Sequence, residues 1–499
     1  MSTLRAIIVV TLDCVRPDHL GFNGYRGVDT PNIDLLAHEG VVFEQAIAQA
    51  PNTWVSHASI FTGCNPYKHG IRTPFTRLSR QVTTVAEAFS EYGFATAAFP
   101  AHTLLGPAQG FDRGFEMYDL DINDFSHASM AKDHRFYRNW ETMWTQAKKW
   151  MLEQSGRFFI WLHYMGTHWE PHKAVSLPEE YRHKYSKFGQ YYDGKISWAD
   201  KECIGTIRSF LEETNLSEDS CFVVLSDHGD ELSRNDPPYT CGGHNQDLSD
   251  QVMKITLIIR APRKLPQQFR VKEQVRSIDI MPTVLDLADV SIPESVEGKS
   301  LFSYCEDSIP AINYAVTAYA YMENVPRHWL GIRTSDWKLI LTDQALSIDE
   351  KTSVLPKSTV NIFKAIVKSA KSILLISKEH LHPWVYTVLK TFYHGVRRTY
   401  QLFLAKKQPK QKSQLASKIT TQPLQFETML LERGRVFALY NLRNDPNEHQ
   451  DVAVQHPDVV QLLKAQLANM AMGATSESLD ISDVYRAETE QQLKSLGYF

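Results

Sequence analysis

The chain has 499 residues, 43% of them hydrophobic and 22% charged, with 53 Lys and Arg against 57 Asp and Glu for a formal net charge of −4. That length exceeds what a single core fills, so one large domain and a smaller one are expected. The near balance of charge removes the broad electrostatic case for a nucleic-acid partner, and any strong field must be local.

The first apolar run, Ala6–Leu12, reads as a buried strand. It is too short for a secretory leader or a membrane span, and no uninterrupted run approaches the ~20 apolar residues a span needs. Six cysteines (Cys14, Cys64, Cys203, Cys221, Cys241 and Cys305) are scattered without paired metal spacing. They are expected to be free thiols of a reducing compartment, which makes a cytoplasmic location the expectation. Further runs at Phe94–Phe99, Phe158–Tyr164, Cys221–Ser226 and Ile255–Ile259 are also expected as buried strands. Helical patterns at Val82–Tyr92, Phe136–Gln154 and Tyr191–Glu213 lie between them. Such alternation predicts an α/β domain, a large mostly parallel central sheet with helices on both faces. Ligands of such sheets bind beyond the carboxyl ends of the strands. Asp13 follows the first run, His168 the third and Asp227-His228 the fourth, so three reactive clusters are expected on one edge.

After about residue 330 the pattern changes. Leu330–Thr342 reads as a hairpin turning at Thr334-Ser335-Asp336, Phe437–Leu442 as another strand and Asp451–Met470 as a closing helix. The expected organisation is a catalytic domain over 1–330 and a small C-terminal α+β domain over 331–499, interrupted by a basic helical insertion at about 344–433. Between Thr359 and Lys412 stand 11 basic residues, and Glu379 is the only acid. Ile362, Phe363, Ile366, Val367, Ala370, Ile373 and Leu374 recur at helical spacing apart from the stripe of Lys364, Lys368 and Lys371. Two readings stay open: peripheral contact of 359–407 with an anionic membrane, or a helical hairpin that packs its apolar face on the enzyme.

Asp13, just past a strand, reads either as a cap or as a ligand. Asp227-His228, followed by Gly229, offers the carboxylate and imidazole donors that a divalent cation takes. The pattern becomes specific with Asn52-Thr53-Trp54-Val55-Ser56-His57 and the following Phe61-Thr62-Gly63. This stretch resembles the nucleophile segment of the sulfatase family within the alkaline phosphatase superfamily. Thr30-Pro31-Asn32-Ile33-Asp34, Gly110-Phe111-Asp112-Arg113-Gly114-Phe115, Tyr192-Asp193-Gly194-Lys195-Ile196, Asp279-Ile280-Met281-Pro282-Thr283 and Leu439-Tyr440-Asn441-Leu442 resemble further landmarks in the family's order.

The resemblance implies a metal held by Asp13, Asp227 and His228, with the hydroxyl of Thr53 as a further ligand and as nucleophile. It implies catalytic or substrate roles for His57, His168 and His244, as cationic or donor partners of the transferring group. Arg16 and Lys68 are further substrate-binding candidates, a surface or salt-bridged role being the open alternative for each. Two departures bear on the reaction. The family's nucleophile is a Cys or Ser converted to formylglycine, which Thr53 cannot become, and the family's Lys-Trp-His stretch is replaced by Thr96-Ala97-Ala98-Phe99-Pro100-Ala101-His102. Cys14 stands where the family has a second metal-binding acid. Tyr164 stands where two-metal relatives carry an Asp, so one divalent ion is expected: calcium, manganese, magnesium or zinc. The expected activity is hydrolysis of a phosphate mono- or diester through a covalent Thr53 intermediate. The alternatives are a sulfatase acting without formylglycine, transfer of a phospho-headgroup, and a non-enzymatic binding scaffold. The expected partner is a small-molecule, lipid or glycan ester.

Overall fold

The computed structural model describes residues 3–120, 138, 140–168, 177–185, 191–232, 248–305, 319–325, 328–343, 424–472, 479–480 and 486. His244, Cys241 and the basic segment 359–407 lie outside the described residues. Contacts divide the chain into two compact units, one of residues 1–343 with 420–499 and one of 344–419.

The first unit is built on a mixed sheet of nine strands. In spatial order the main path runs Phe269–Arg276, Val41–Ile47, Leu257–Arg260, Ser220–Leu225, Ala6–Leu12, Phe158–Tyr164, Ala95–Phe99 and Met117–Tyr118, with Lys254–Ile255 beside Val41–Ile47. All seven residues of Ala6–Leu12 are buried, as are all seven of Phe158–Tyr164, which is what a continuous apolar run in a two-sided sheet requires. The strand expected over Ile255–Ile259 differs from its forecast. It breaks at Thr256, and Leu257–Arg260 runs antiparallel to both of its neighbours. Periodicity sees the apolarity of such a run but not its direction. The expected helix over Tyr191–Glu213 is present with a π-helical stretch at Asp200–Gly205 between two α-helical parts.

Side-chain parity sends the central strands into two separate cores. Ile7, Val9, Phe159, Trp161, Cys221, Val223 and Leu225 face one side, with the helices Thr53–Thr62, Val85–Glu91 and Ile280–Leu287. Ala6, Ile8, Val10, Leu12, Phe158, Ile160, Leu162, Phe222 and Val224 face the other, with Trp140–Glu153 and the long interrupted helix. Alternation of Cβ direction along a strand is the cause. Four cysteines, Cys14, Cys64, Cys203 and Cys221, are free and buried within this packing.

A second sheet of four antiparallel strands, Ala320–Asn324, Trp329–Arg333, Trp337–Thr342 and Arg435–Asn441, contains the forecast hairpin. Arg333 and Lys338 on it pair with Asp250 beside the large sheet. The helix Leu424–Arg433, counted from sequence with the insertion, lies in the first unit and places Glu427 against Arg72. Among the described residues no helix is long and apolar enough to cross a membrane.

Candidate active site

Three parallel neighbours, Ser220–Leu225, Ala6–Leu12 and Phe158–Tyr164, end on the same edge, with Thr11 in register with Leu225 on one side and His163 on the other. Asp13 and Asp227 lie two residues past Thr11 and Leu225. The helix Thr53–Thr62 packs against this face and starts at the same edge, and all ten of its residues are buried. Ser56 fastens it there by donating to the carbonyl of Asp227 at 2.6 Å. Thr53, its first residue, therefore sits at the positive end of a buried helix, where anions are stabilised.

Donor atoms of Asp13, Asp227 and His228 lie within 4.8 Å of one another. The surrounding bonds aim them. Asp227 Oδ1 accepts from the backbone N–H of Cys14 at 3.1 Å and of His228 at 3.0 Å, whereas its buried Oδ2 takes no hydrogen bond. His228 Nδ1 donates to the carbonyl of Gly229 at 2.8 Å. That turns Nε2 towards Asp227 Oδ2 at 3.3 Å and the Thr53 hydroxyl at 3.4 Å. The chain at Gly229 has no room for a side chain, because a Cβ there would lie 2.1 Å from the carbonyl oxygen of Gln251. Close approach of two chain segments is the reason for the glycine. A buried carboxylate oxygen without a donor, facing an imidazole nitrogen and a second carboxylate, fits a divalent cation.

The same electrostatics appear in the titration of the cluster. Burial would raise Asp13, but the hydrogen bond from His163 and the nearby charges of His168 and His163 hold it well below the usual carboxylate range. Burial and the negative charge of Asp13 push Asp227 up. His228 is raised because Asp227 and Asp13 outweigh its desolvation. Two carboxylates in one dry pocket repel, and a bound cation removes that conflict.

In two further groups, Asp13–Cys14–His168 and His57–His163–Asp227, donor atoms also lie within 4.8 Å of one another. The second is engaged otherwise. His57 Nδ1 donates to the carbonyl of Thr53 at 2.7 Å, and both ring nitrogens of His163 have partners, the backbone N–H of Ala101 at 3.3 Å and Asp13 Oδ2 at 3.2 Å. Cys14 holds a left-handed backbone, φ 60°, and its Sγ donates to Asp13 Oδ1 at 2.8 Å. Burial and the charge of Asp13 push its thiol well up.

The other sequence candidates fall in different places. His57 is fully buried, and desolvation and His163 hold it well below its ordinary value. Its Nε2 is buried without a hydrogen-bond partner, so what it offers is an acceptor and not the cation or donor expected for it. His168 is at the turn after Phe158–Tyr164, its carbonyl held by Lys195 Nζ at 2.6 Å. Arg16 spends its guanidinium on Asp18, the carbonyl of Asp230 and Gln251. It braces the loop, whose backbone Tyr192 also holds by donating to the Cys14 carbonyl at 2.6 Å and accepting from Arg16 N at 2.8 Å. Lys68 is on the short helix Pro66–His69, half-buried, with its charge acting on Cys64.

Two residues were missed. His163 lies inside an apolar strand, where only pairing register reveals that it faces Asp13. His102 follows the strand Ala95–Phe99 on the same edge, a signal of the kind that found Asp13. Its Nδ1 accepts from Leu104 N at 3.0 Å, and burial holds it down at about 3, so its Nε2 carries the proton and is buried without an acceptor.

The family model described as Sulfatase matches residues 5–290, and the model described as N-sulphoglucosamine sulphohydrolase, C-terminal, matches 246–365. An ulvan-active sulfatase of Formosa agariphila is 24% identical over 390 residues, covering 68% of this chain and 74% of the relative. The fold matches that of Ps i-CgsB in complex with k-i-k-neocarrahexaose (TM-score 0.62, 17% identity, 99% of this chain and 98% of that one). It also matches the phosphonate monoester hydrolase of Agrobacterium radiobacter (TM-score 0.62, 14% identity, 95% of this chain and 97% of that one).

Proposed function

The chain belongs to the sulfatase family, an ester hydrolase family of the alkaline phosphatase superfamily, and on that premise we propose that it hydrolyses phosphate mono- or diesters with Thr53 as the nucleophile. The observation that carries this reading is the place of the Thr53 hydroxyl. It stands at the first residue of a buried helix, 3.4 Å from His228 Nε2, beside the Oδ2 of Asp227, which takes no hydrogen bond.

Asp13, Asp227 and His228 would hold a divalent ion, which would lower the pKa of the Thr53 hydroxyl and polarise the ester oxygen. The chain's own residues do the rest. The helix N-terminus orients the anionic group towards Thr53. Thr53 Oγ forms the new bond to phosphorus as the bond to the leaving alcohol oxygen breaks, and that oxygen takes up the proton which the Thr53 hydroxyl gives up. His102 offers an N–H donor to the transferring group, and His168 or His244 carries the proton to the leaving alcohol. Water then attacks phosphorus as the phosphorus–Oγ bond breaks, and the proton that the water gives up returns to Oγ, freeing Thr53 and the phosphate product.

Threonine at this position favours phosphorus over sulfur, because a side chain that cannot become formylglycine cannot release sulfate by that route. The scaffold is shared with a phosphonate monoester hydrolase. The second reading, a sulfate ester hydrolase working through an unmodified hydroxyl, is favoured by the ulvan-active sulfatase relative. Side-by-side turnover of an aryl phosphate, a phosphodiester and an aryl sulfate by the metal-loaded protein decides between them. Phosphate ester turnover is expected, with a loss of about three orders of magnitude or more in kcat for Thr53→Ala. Turnover of sulfate alone would sink the phosphoester reading.

A further inference from the structure

We propose that His163 is a positioning residue for the metal site, acting through Asp13; this rests on the metal-dependent reading above. His163 is fully buried on the strand Phe158–Tyr164, in register with Thr11 of the strand Ala6–Leu12, which Asp13 follows. The pairing is reinforced by the Trp161 indole N–H, which donates to the Thr11 hydroxyl at 3.1 Å. His163 thus belongs to the rigid middle of the sheet, whereas Asp13 begins the loop beyond it.

Hydrogen bonding assigns the ring. The backbone N–H of Ala101 donates to Nδ1 at 3.3 Å, which requires a lone pair there. The proton therefore sits on Nε2 and is donated to Asp13 Oδ2 at 3.2 Å. With both nitrogens committed and no exposed surface, His163 is neither a metal ligand nor a substrate contact. What it does is hold a ligand. Asp13 receives one donor on each oxygen, Cys14 Sγ–H on Oδ1 at 2.8 Å and His163 Nε2–H on Oδ2 at 3.2 Å, while Thr167 donates to its carbonyl at 2.6 Å. Two donors on opposite sides set the rotation of the carboxylate and leave its remaining lone pairs towards Asp227 and His228. The bond also offsets negative charge where two buried carboxylates meet. Removing such a partner of a ligand lowers metal affinity by about 10- to 100-fold.

The experiment compares His163→Asn and His163→Gln with the unaltered protein, each stripped with chelator and titrated with manganese(II) by equilibrium dialysis. Thermal melting checks that each is folded. Asparagine can still take the Ala101 N–H but is too short to reach Asp13. Glutamine can reach Asp13 from about the place of Nε2. Affinity is expected to fall about 10- to 100-fold for Asn and to stay near that of the unaltered protein for Gln. If filling the space and accepting from Ala101 were the whole role, Asn would be the better tolerated, and that ordering, or equal effects of the two, overturns the inference. An unaltered protein that binds no manganese at all instead defeats the metal-dependent reading and takes this inference down with it.

Discussion

At the scale of residues, the site is defined by which polar atoms are left without partners. Asp227 shows this within one side chain: Oδ1 takes two backbone donors and Oδ2 none, although the carboxylate is fully buried. A buried acceptor without a donor is costly, so the metal-free fold carries a penalty that a cation removes. Metal should therefore stabilise the protein by roughly 2.7 kcal/mol at about 100 times its dissociation constant, with a melting temperature that rises with metal concentration. Asp227→Asn keeps the Oδ1 acceptor and removes the charge. In chelator it should melt at or above the unaltered protein, and in excess manganese below it. A variant that melts lower in both conditions would show Oδ2 to be satisfied without metal.

At the scale of elements, the helix Leu424–Arg433 and the strand Ala320–Asn324 are joined to the large domain by a buried ionic group. Arg72 lies 3.2 Å from Glu323 and also pairs with Glu427, and the Tyr321 hydroxyl lies 2.6 Å from Glu323 and 2.9 Å from Glu427. One guanidinium faces two carboxyls. Burial, with the charge of Glu427 and against that of Arg72, pushes Glu323 up to about 7. A carboxyl raised in the folded state is protonated there while the unfolded chain is already ionised. Its stabilisation is present below the unfolded value near 4.5 and is lost as pH rises through about 7. Glu323→Gln, which keeps the shape without the charge, should flatten the fall in chemical-denaturation stability between pH 5 and 8. An unchanged slope would place the charge elsewhere. Removing Arg72 instead, as Arg72→Met, strands two buried carboxyls and should cost about 3–5 kcal/mol.

At the scale of the whole molecule, every described residue of the candidate site belongs to the unit formed by 1–343 and 420–499. That unit has both of its own cores. Replacing 344–419 by a short Gly/Ser linker should therefore leave a protein that melts cooperatively and turns over a small aryl phosphate near the rate of the intact chain. A loss of cooperative melting or of turnover would make that segment part of the catalytic fold. If 359–407 gives contact with anionic lipid, only the intact chain will sediment with phosphatidylserine vesicles.

Much of this was legible in the sequence because it depends on local chemistry. Predominantly apolar runs of six or seven residues mark buried strands, and Asp13, His168 and Asp227-His228 stand just past the ends of those runs. Ordered landmarks from Thr30-Pro31-Asn32 to Leu439-Tyr440-Asn441 carry the family, and Thr53 carries the departure from it. Local pattern could not supply direction, register or the spending of donors. Leu257–Arg260 reads like its neighbours and runs against them. Arg16, a substrate-binding candidate with a salt-bridged role as the alternative, is spent on Asp18, the carbonyl of Asp230 and Gln251. His163 reads as one polar residue in an apolar strand, yet faces Asp13 across 150 residues of sequence. Composition and periodicity along the chain thus determined the strands, the α/β class and the principal candidate residues. Only the tertiary structure decided which side chains share a pocket and which of their atoms are left for a ligand, because those depend on pairing between segments far apart in sequence.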